Sequence, residues 1–188
     1  MSWLYCAWKG QTIITNLGRF DLAHFCELVQ EYKPERAHLV PPILLGLAKH
    51  PIVNNYDLSS MRMIISAAAP LSQETESAVK NRLGVEFKQG WGMSELSPID
   101  TLATDAGARS GSVGPPVPST KIMIVDEERN SLGPNQTGKL LIKGPQVMQG
   151  YLDEPERTAE CLSDSGWLRT GDIASYHQEG HIYATFAL

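Results

Sequence analysis

A change of hydrophobic pattern near the middle of the chain constrains the fold more than any other feature. In the first half, helical patterns at 20–32, 41–49 and 72–82 alternate with short strand patterns at 36–40, 62–66 and 85–88. Such alternation is typical of an α/β layer built on a parallel sheet. After residue 106 the pattern becomes one of short strands separated by turns. We therefore predict an α/β portion over 1–105 and a β-rich portion over 106–188.

Capping and breaking residues support the helices of the first half. Pro41 and Pro42 suit the first turn of a helix, where a missing N–H costs little. Ser72 can accept a hydrogen bond from the first turn of the next helix, and Gly84 can end that helix.

Turn signals divide the second half into short elements. A Gly/Pro-rich stretch covers 107–118, and turn residues lie between the later strand patterns. The predicted elements are strands at 121–125, 139–143, 172–176 and 181–185, with a helix at 155–161.

Composition excludes several classes of protein. The 188 residues include 16 basic and 21 acidic side chains, and the basic ones are scattered, so we expect no nucleic-acid partner. No apolar run approaches the roughly 20 residues of a membrane span, so we expect no transmembrane segment. Three widely spaced cysteines, Cys6, Cys26 and Cys161, predict neither a disulfide framework nor a zinc site. His177 and His181 have helical zinc spacing, but the Gln-Glu-Gly between them indicates a turn.

The segment from Gln89 to Glu95, Gln-Gly-Trp-Gly-Met-Ser-Glu, is the strongest chemical signal. Its two glycines permit close approach of the backbone to a ligand. Ser94 and Glu95 place a hydroxyl beside a carboxylate, which suits a phosphate oxygen and its Mg²⁺. An ordinary polar loop is the alternative interpretation.

Two further segments are candidates for binding the same ligand. Residues 66–70, Ser-Ala-Ala-Ala-Pro, follow an apolar strand and leave room for a flat ring; tight helix–strand packing is the alternative. Asp172 follows a Thr-Gly turn, where its carboxylate can accept hydrogen bonds from two adjacent hydroxyls, as on a ribose. An aspartate that only stabilises its own turn is the alternative.

Taken in order, these segments resemble the adenylate-forming superfamily, and within it the 4-coumarate–CoA ligase-like enzymes. The matching segments are 66–70, 89–95, 111–114, 150–156 and 166–172. The resemblance covers nearly the whole chain. It implies an α/β fold that forms part of the large N-terminal domain of such an enzyme, with a β-rich subdomain following.

The resemblance also implies roles for individual residues. Ala68, Gln89, Gly90, Ser94 and Asp172 are expected to bind the nucleotide. Ser94 and Glu95 are expected to be catalytic, with Glu95 linked to Mg²⁺ through ATP. The acyl substrate is expected to contact Ala68, Gly90 and Leu102. Trp91 stands where a tyrosine is usual and would offer an aromatic face, and Arg19 stands near a CoA-contacting lysine.

The implied activity is a two-step ligation of a small-molecule carboxylic acid to CoA, using ATP and Mg²⁺. A luciferase-like or fatty acyl ligase is an alternative, and so is a non-catalytic chain that only binds adenosine nucleotide. The family's phosphate loop, hinge arginine and C-terminal domain have no counterpart in the sequence, so we expect an internal part of the enzyme that is inactive alone. A cytoplasmic or peroxisomal location is expected for such a ligase.

Overall fold

A computed structural model describes residues 2–16, 18–67, 69 and 71–185 of the chain. It contains helices α1 (Ser2–Lys9), α2 (Leu22–Tyr32), α3 (Pro41–Lys49), α4 (Gln73–Leu83) and α5 (Pro155–Cys161). Its strands are β1 (Arg36–Leu39), β2 (Met63–Ser66), β3 (Glu86–Trp91), β4 (Thr101–Leu102), β5 (Lys121–Val125), β6 (Gly138–Lys143), β7 (Leu168–Tyr176) and β8 (Ile182–Thr185). Short 3₁₀ helices cover Pro51–Asn55 and Ser94–Leu96.

The strands form two sheets of four. One has the order β1-β2-β3-β4 and the other β5-β6-β7-β8. The chain divides into two compact units, one comprising Met1–Ile65 and Ser72–Phe87 and the other Ser66–Leu71 and Lys88–Leu188. Every candidate site residue that the structure describes, with the exception of Arg19, belongs to the second unit.

Helices of the first unit begin and end at local capping residues. Asp21 caps α2 by accepting a hydrogen bond from the His24 N–H at 2.8 Å. Ser72 caps α4 by accepting from the Thr75 N–H at 3.2 Å. Gly84 ends α4 in the left-handed conformation, with φ of 66°, a conformation that glycine adopts without steric cost. The predicted bounds of these helices therefore agree closely with the observed ones.

The core of the second unit lies on one face of the second sheet. Its strands pair antiparallel throughout, with β5 on β6, β6 on β7 and β7 on β8. Buried side chains of these strands, including Ile142 and Leu168, pack with Trp91 and Leu96 in one hydrophobic cluster. Burying such side chains contributes about 1.5–3 kcal/mol each before conformational entropy is subtracted.

The predicted fold class, an α/β layer with a β-rich part, is confirmed by the two four-stranded sheets and the accompanying helices. The first sheet is not wholly parallel as predicted, because β4 runs antiparallel to β3, with Gly90 opposite Leu102. The intervening loop, 92–100, is too short for the crossover that a parallel pair needs. Helix α1 was not predicted, and β3 and β7 are longer than predicted. The boundary after residue 105 stays a prediction.

Among the described residues, no helix has both the length and the apolar character needed to cross a bilayer.

Candidate active site

The end of strand β3 and the loop after it are closely packed around two glycines. A Cβ on Gly90 would lie 3.2 Å from the Leu102 Cδ1 atom and from the Thr101 carbonyl oxygen. A Cβ on Gly92 would lie 2.7 Å from the Cα atom of Ile99, closer than real Cβ atoms come. Glycine is thus required at 92 for the loop to fold back on itself, and the Asp100 N–H completes the turn by donating to the Trp91 carbonyl at 3.0 Å.

Trp91 connects this strand to Asp172 of β7. The indole Nε1–H donates to the Asp172 Oδ2 atom at 2.9 Å, across 81 residues of sequence. The Asp172 N–H in turn donates to the Thr170 hydroxyl at 3.1 Å, and that hydroxyl donates to the Leu140 carbonyl at 2.9 Å. The carboxylate is half-buried and accepts the hydrogen bond from the indole, while the backbone of Asp172 is held by its own turn.

Burial of Trp91 differs from what the resemblance implied. The indole is only 2% exposed and packs in the hydrophobic cluster with Leu96, Val113 and Ile142. Its faces are covered by apolar side chains, so in this structure they are not open for stacking on a ligand ring. The polar edge of the indole, through its N–H, is the part that reaches the candidate site.

Glu95 is held by the segment that precedes α5. Its Oε1 atom accepts a hydrogen bond from the Tyr151 hydroxyl at 2.7 Å, and its backbone carbonyl accepts from the Met148 N–H at 2.8 Å. The carboxylate beside the Tyr151 hydroxyl, through that hydrogen bond, raises the pKa of the phenol above its ordinary value. The Arg157 guanidinium lies 4.9 Å from the centre of the Tyr151 ring.

A second carboxylate, Asp100, is completely buried close to the same loop. Its Oδ1 atom accepts from the Gln146 side-chain amide, which also lies 2.7 Å from the Thr120 hydroxyl. Its Oδ2 atom is buried without a hydrogen-bond partner. Burial raises the pKa of this carboxyl, opposed by the Gln146 hydrogen bond. The charged form is costly here, since an unpaired buried charge loses its hydration.

The structure places the predicted residues as follows. Gln89 is buried in β3, Gly90 lies directly opposite Leu102, and Asp172 is joined to Trp91. Ser94 is exposed at the start of its 3₁₀ helix, and Glu95 is half-buried beside Tyr151. Ala68 lies outside the described residues. The roles of these residues in binding and catalysis stay predictions.

Three residues near the site were missed by reasoning from sequence: Asp100, Gln146 and Tyr151. Tyr151 lies inside a segment that carries the resemblance, 150–156, so its presence there was the available signal. Nothing in the sequence distinguished Asp100 or Gln146, because their hydrogen bond joins positions 46 residues apart.

The described residues contain no group of three or more His, Cys, Asp or Glu side chains that could hold a metal ion. A divalent cation would therefore arrive with its own ligands, as Mg²⁺ does when it is bound by nucleotide phosphates. Glu95 could then supply one oxygen.

A shallow cavity of about 430 Å³ lies elsewhere in the second unit. Lys121, Lys143, Val147 and Leu162 are among the residues that line it, and none of the predicted site residues does.

Comparison with known proteins identifies the family and the fold. The sequence matches the AMP-binding enzyme family over residues 1–152. It is 40% identical to 4-coumarate–CoA ligase of Pinus taeda over 189 residues, a match that covers 96% of this chain and 35% of the relative. The fold is similar to that of amide bond synthetase McbA from Marinactinospora thermotolerans, with a TM-score of 0.79 and 32% identity over 90% of this chain and 35% of that one.

ATP-bound MatB from Rhodopseudomonas palustris is another similar structure, with a TM-score of 0.82 and 27% identity; 90% of this chain matches 33% of that one. The chain belongs to the AMP-binding enzyme family. It spans about a third of the length of the curated relatives that it matches.

Proposed function

We propose that this chain supplies the adenosine and phosphate side of an ATP-dependent carboxylate–CoA ligase. The observation that carries the proposal is the 2.9 Å hydrogen bond from the Trp91 indole to Asp172. It places a fixed carboxylate next to the glycine-containing end of β3, so that two separate segments of the resemblance meet in one place. The relatives named as CoA ligases support the ligase assignment.

The adenosine part of the nucleotide is assigned to three elements. Asp172 accepts hydrogen bonds from the two ribose hydroxyls, each charge-assisted bond contributing roughly 1.5–3 kcal/mol. Gln89 and Gly90 are assigned to the lining of the adenylate pocket on the basis of the resemblance, and Gly90 offers backbone rather than a side chain. Ala68 is assigned to the same ring and to the acyl group on the basis of the resemblance.

The phosphate part is assigned to the 3₁₀ helix. The exposed Ser94 hydroxyl donates to a phosphate oxygen, and Glu95 provides an oxygen for the Mg²⁺ that accompanies ATP. Both groups stabilise charge that grows on the phosphates as pyrophosphate departs, which is where preorganised groups lower a barrier.

The reaction that such a site serves has two steps. In the first, a substrate carboxylate oxygen attacks the α-phosphorus of ATP, the α–β phosphoanhydride bond breaks, and pyrophosphate leaves with its electron pair. In the second, the CoA thiolate attacks the acyl carbon of the adenylate, and AMP leaves as the thioester forms. Gly90 and Leu102, which face each other across the strand pair, are assigned to the acyl group of a small carboxylic acid.

Calorimetry with ATP and AMP on this chain tests the nucleotide assignment. We expect weak binding, with Kd of about 1 mM, because two charge-assisted hydrogen bonds leave little net affinity after association costs. Asp172→Asn should weaken binding about tenfold. Asp164→Asn is the matched control, since Asp164 is an exposed turn residue near β7. Equal affinity of the wild-type chain and the Asp172 variant would contradict the assignment.

Turnover is tested in a fusion in which this chain replaces the matching third of the Pinus taeda ligase. Carboxylate-dependent pyrophosphate exchange should depend on Glu95, and Glu95→Gln should lower the rate mainly through kcat. Equal exchange by the two fusions at saturating Mg²⁺–ATP would remove Glu95 from the mechanism. A folded fusion that binds ATP without exchanging pyrophosphate would favour the non-catalytic alternative.

A further inference from the structure

We propose that Tyr151 is a positioning residue for Glu95, holding one carboxylate oxygen so that the other is presented to the divalent cation on the nucleotide phosphates. The inference rests on the proposed function, because it assigns a task to a residue next to the phosphate side of that site. It concerns a hydroxyl that the geometry, not the sequence, connects to Glu95.

The hydrogen bond itself is short and directional. The Tyr151 hydroxyl donates to Glu95 Oε1 at 2.7 Å, and both side chains are half-buried. Bonds from a neutral hydroxyl to a carboxylate are stronger than neutral pairs, and partial burial limits competition from water. A carboxylate fixed in this way loses little rotamer freedom when a cation binds.

Tyr151 is itself fixed by its neighbours, which is what a positioning residue requires. Its N–H donates to the Thr158 Oγ1 atom at 2.9 Å, and that hydroxyl donates to the Glu154 carbonyl at 2.9 Å. A Cβ on Gly150 would lie 3.0 Å from Thr158, so the chain before Tyr151 packs tightly on α5.

The Arg157 guanidinium lies 4.9 Å from the Tyr151 ring centre. A cation over the ring draws electron density from the phenol and strengthens its O–H as a donor. The backbone adds a further tie, since the Met148 N–H donates to the Glu95 carbonyl at 2.8 Å. Residues 148–151 therefore hold Glu95 by both its main chain and its side chain.

A purely structural role for Tyr151 is the competing explanation. In that case the hydroxyl only fastens the 148–151 segment, and its loss changes stability without changing metal affinity. Groups that orient a metal-binding side chain differ from this, because their removal lowers metal affinity about 10–100-fold. Metal affinity at Glu95 thus separates the two explanations.

The test uses Mn²⁺ in place of Mg²⁺ on the ¹⁵N-labelled chain, with and without ATP. Bound Mn²⁺ broadens nearby amide signals, so the Glu95 and Leu96 signals should broaden selectively. Glu95→Gln should abolish that broadening. Tyr151→Phe, which removes only the hydroxyl, should raise the Mn²⁺ concentration at half-maximal broadening about tenfold. Tyr176→Phe is the matched control, because the Tyr176 hydroxyl reaches only the Leu132 carbonyl, at 3.5 Å, and it should leave the titration unchanged.

A second variant, Glu95→Asp, breaks the same hydrogen bond without changing Tyr151. Glu95→Asp keeps the charge but shortens the side chain, so the carboxylate no longer reaches Tyr151; it should lose Mn²⁺ affinity to a similar extent. Equal titrations of the wild-type chain and Tyr151→Phe overturn the proposal, as does an absence of selective broadening at Glu95 in the wild-type chain. If ATP binds and Mn²⁺ broadens the Glu95 signal equally in the wild-type chain and in Tyr151→Phe, the inference alone fails. If ATP does not bind at all, the proposed function fails and the inference fails with it.

Discussion

The ends of helix α4 and the loop after β3 are held in different ways. The Ser72 cap, the Gly84 end and the Lys80–Glu76 ion pair at 2.9 Å all join α4 to residues a few positions away. The loop after β3 depends instead on partners 46, 56 and 81 residues distant, through Asp100, Glu95 and Trp91. A helix has many local hydrogen bonds and keeps its structure when one of those bonds is lost. In the loop, each long-range bond fixes a different side chain of the candidate site. We therefore expect single substitutions to disturb the loop far more than the helix.

The largest expected effect is at Gly92. Gly92→Ala forces a Cβ towards the backbone of Ile99 and Pro98, which cannot move without opening the loop. We expect a loss of about 3 kcal/mol in the free energy of unfolding of the second unit. Urea denaturation followed by tryptophan fluorescence measures it.

Gly133→Ala is the control for Gly92→Ala. A Cβ there would meet only the Gln136 side chain, at an ordinary 3.5 Å. Its effect should stay within about 0.5 kcal/mol. Equal losses for the two variants would show that the loop is not as closely packed as the structure has it.

The Trp91–Asp172 bond should be the next largest contribution. In a double-mutant cycle with Trp91→Phe and Asp172→Ala, we expect a coupling energy of about 1.5 kcal/mol. Either substitution alone removes the hydrogen bond to the charged carboxylate, so the double variant loses less stability than the sum of the two single losses. The same cycle with Trp167→Phe in place of Trp91→Phe should give a coupling near zero. A coupling near zero for Trp91 as well would mean that the indole does not fix Asp172.

Particular elements show what the sequence could and could not predict. The bounds of α3, α4 and α5 followed from proline and capping signals, which act over a single turn. The two residues of β4 carry no periodicity, and the pairing that defines them comes from the fold. Likewise, motif order identified Glu95 and Asp172 as candidates, but no local rule joins Trp91 to Asp172 or Tyr151 to Glu95. Packing also decided that the Trp91 ring is buried and that only its N–H edge reaches Asp172.

Loss of a local helix cap should lower stability less than loss of the Gly92 packing or the Trp91–Asp172 bond. Ser72→Ala removes the hydroxyl that accepts the Thr75 N–H and should cost about 1 kcal/mol. Hydrogen exchange of the first-turn amides of α4 measures it. Ser59→Ala serves as the control, because Ser59 hydrogen-bonds to Asp57 and does not cap α4. Protection of the Thr75 amide that survives Ser72→Ala unchanged would contradict the cap.

Effects no larger than that of the cap concern the pH dependence of stability. Burial raises the pKa of Asp100, so the native chain binds this proton more tightly than the unfolded chain does. The stability that the group contributes is therefore present at low pH and lost as pH rises through the folded-state pKa. Asp100→Asn should remove this loss and raise stability at pH 7 by about 1 kcal/mol.

Asp126 should make stability depend on pH in the opposite direction. Hydrogen bonds from Asn130 lower the pKa of its carboxyl, so its contribution is present above the unfolded value of 3.8 and lost as pH falls through the folded-state pKa. Asp126→Asn should therefore lower stability at pH 7 and not at pH 3. Thermal unfolding from pH 3 to 8 compares the two variants, and slopes of the same sign would contradict this account.

The central claim is that Gln89–Glu95 and Asp172 form one nucleotide site in the second unit. Amide chemical-shift mapping of the ¹⁵N-labelled chain during titration with Mg²⁺–ATP tests it most directly. We predict that the signals of Gly90, Glu95 and Asp172 shift together along one binding curve, while those of α4 stay in place. Shifts confined to the cavity beside Lys121 and Lys143, with Gly90 and Asp172 unchanged, would contradict the account.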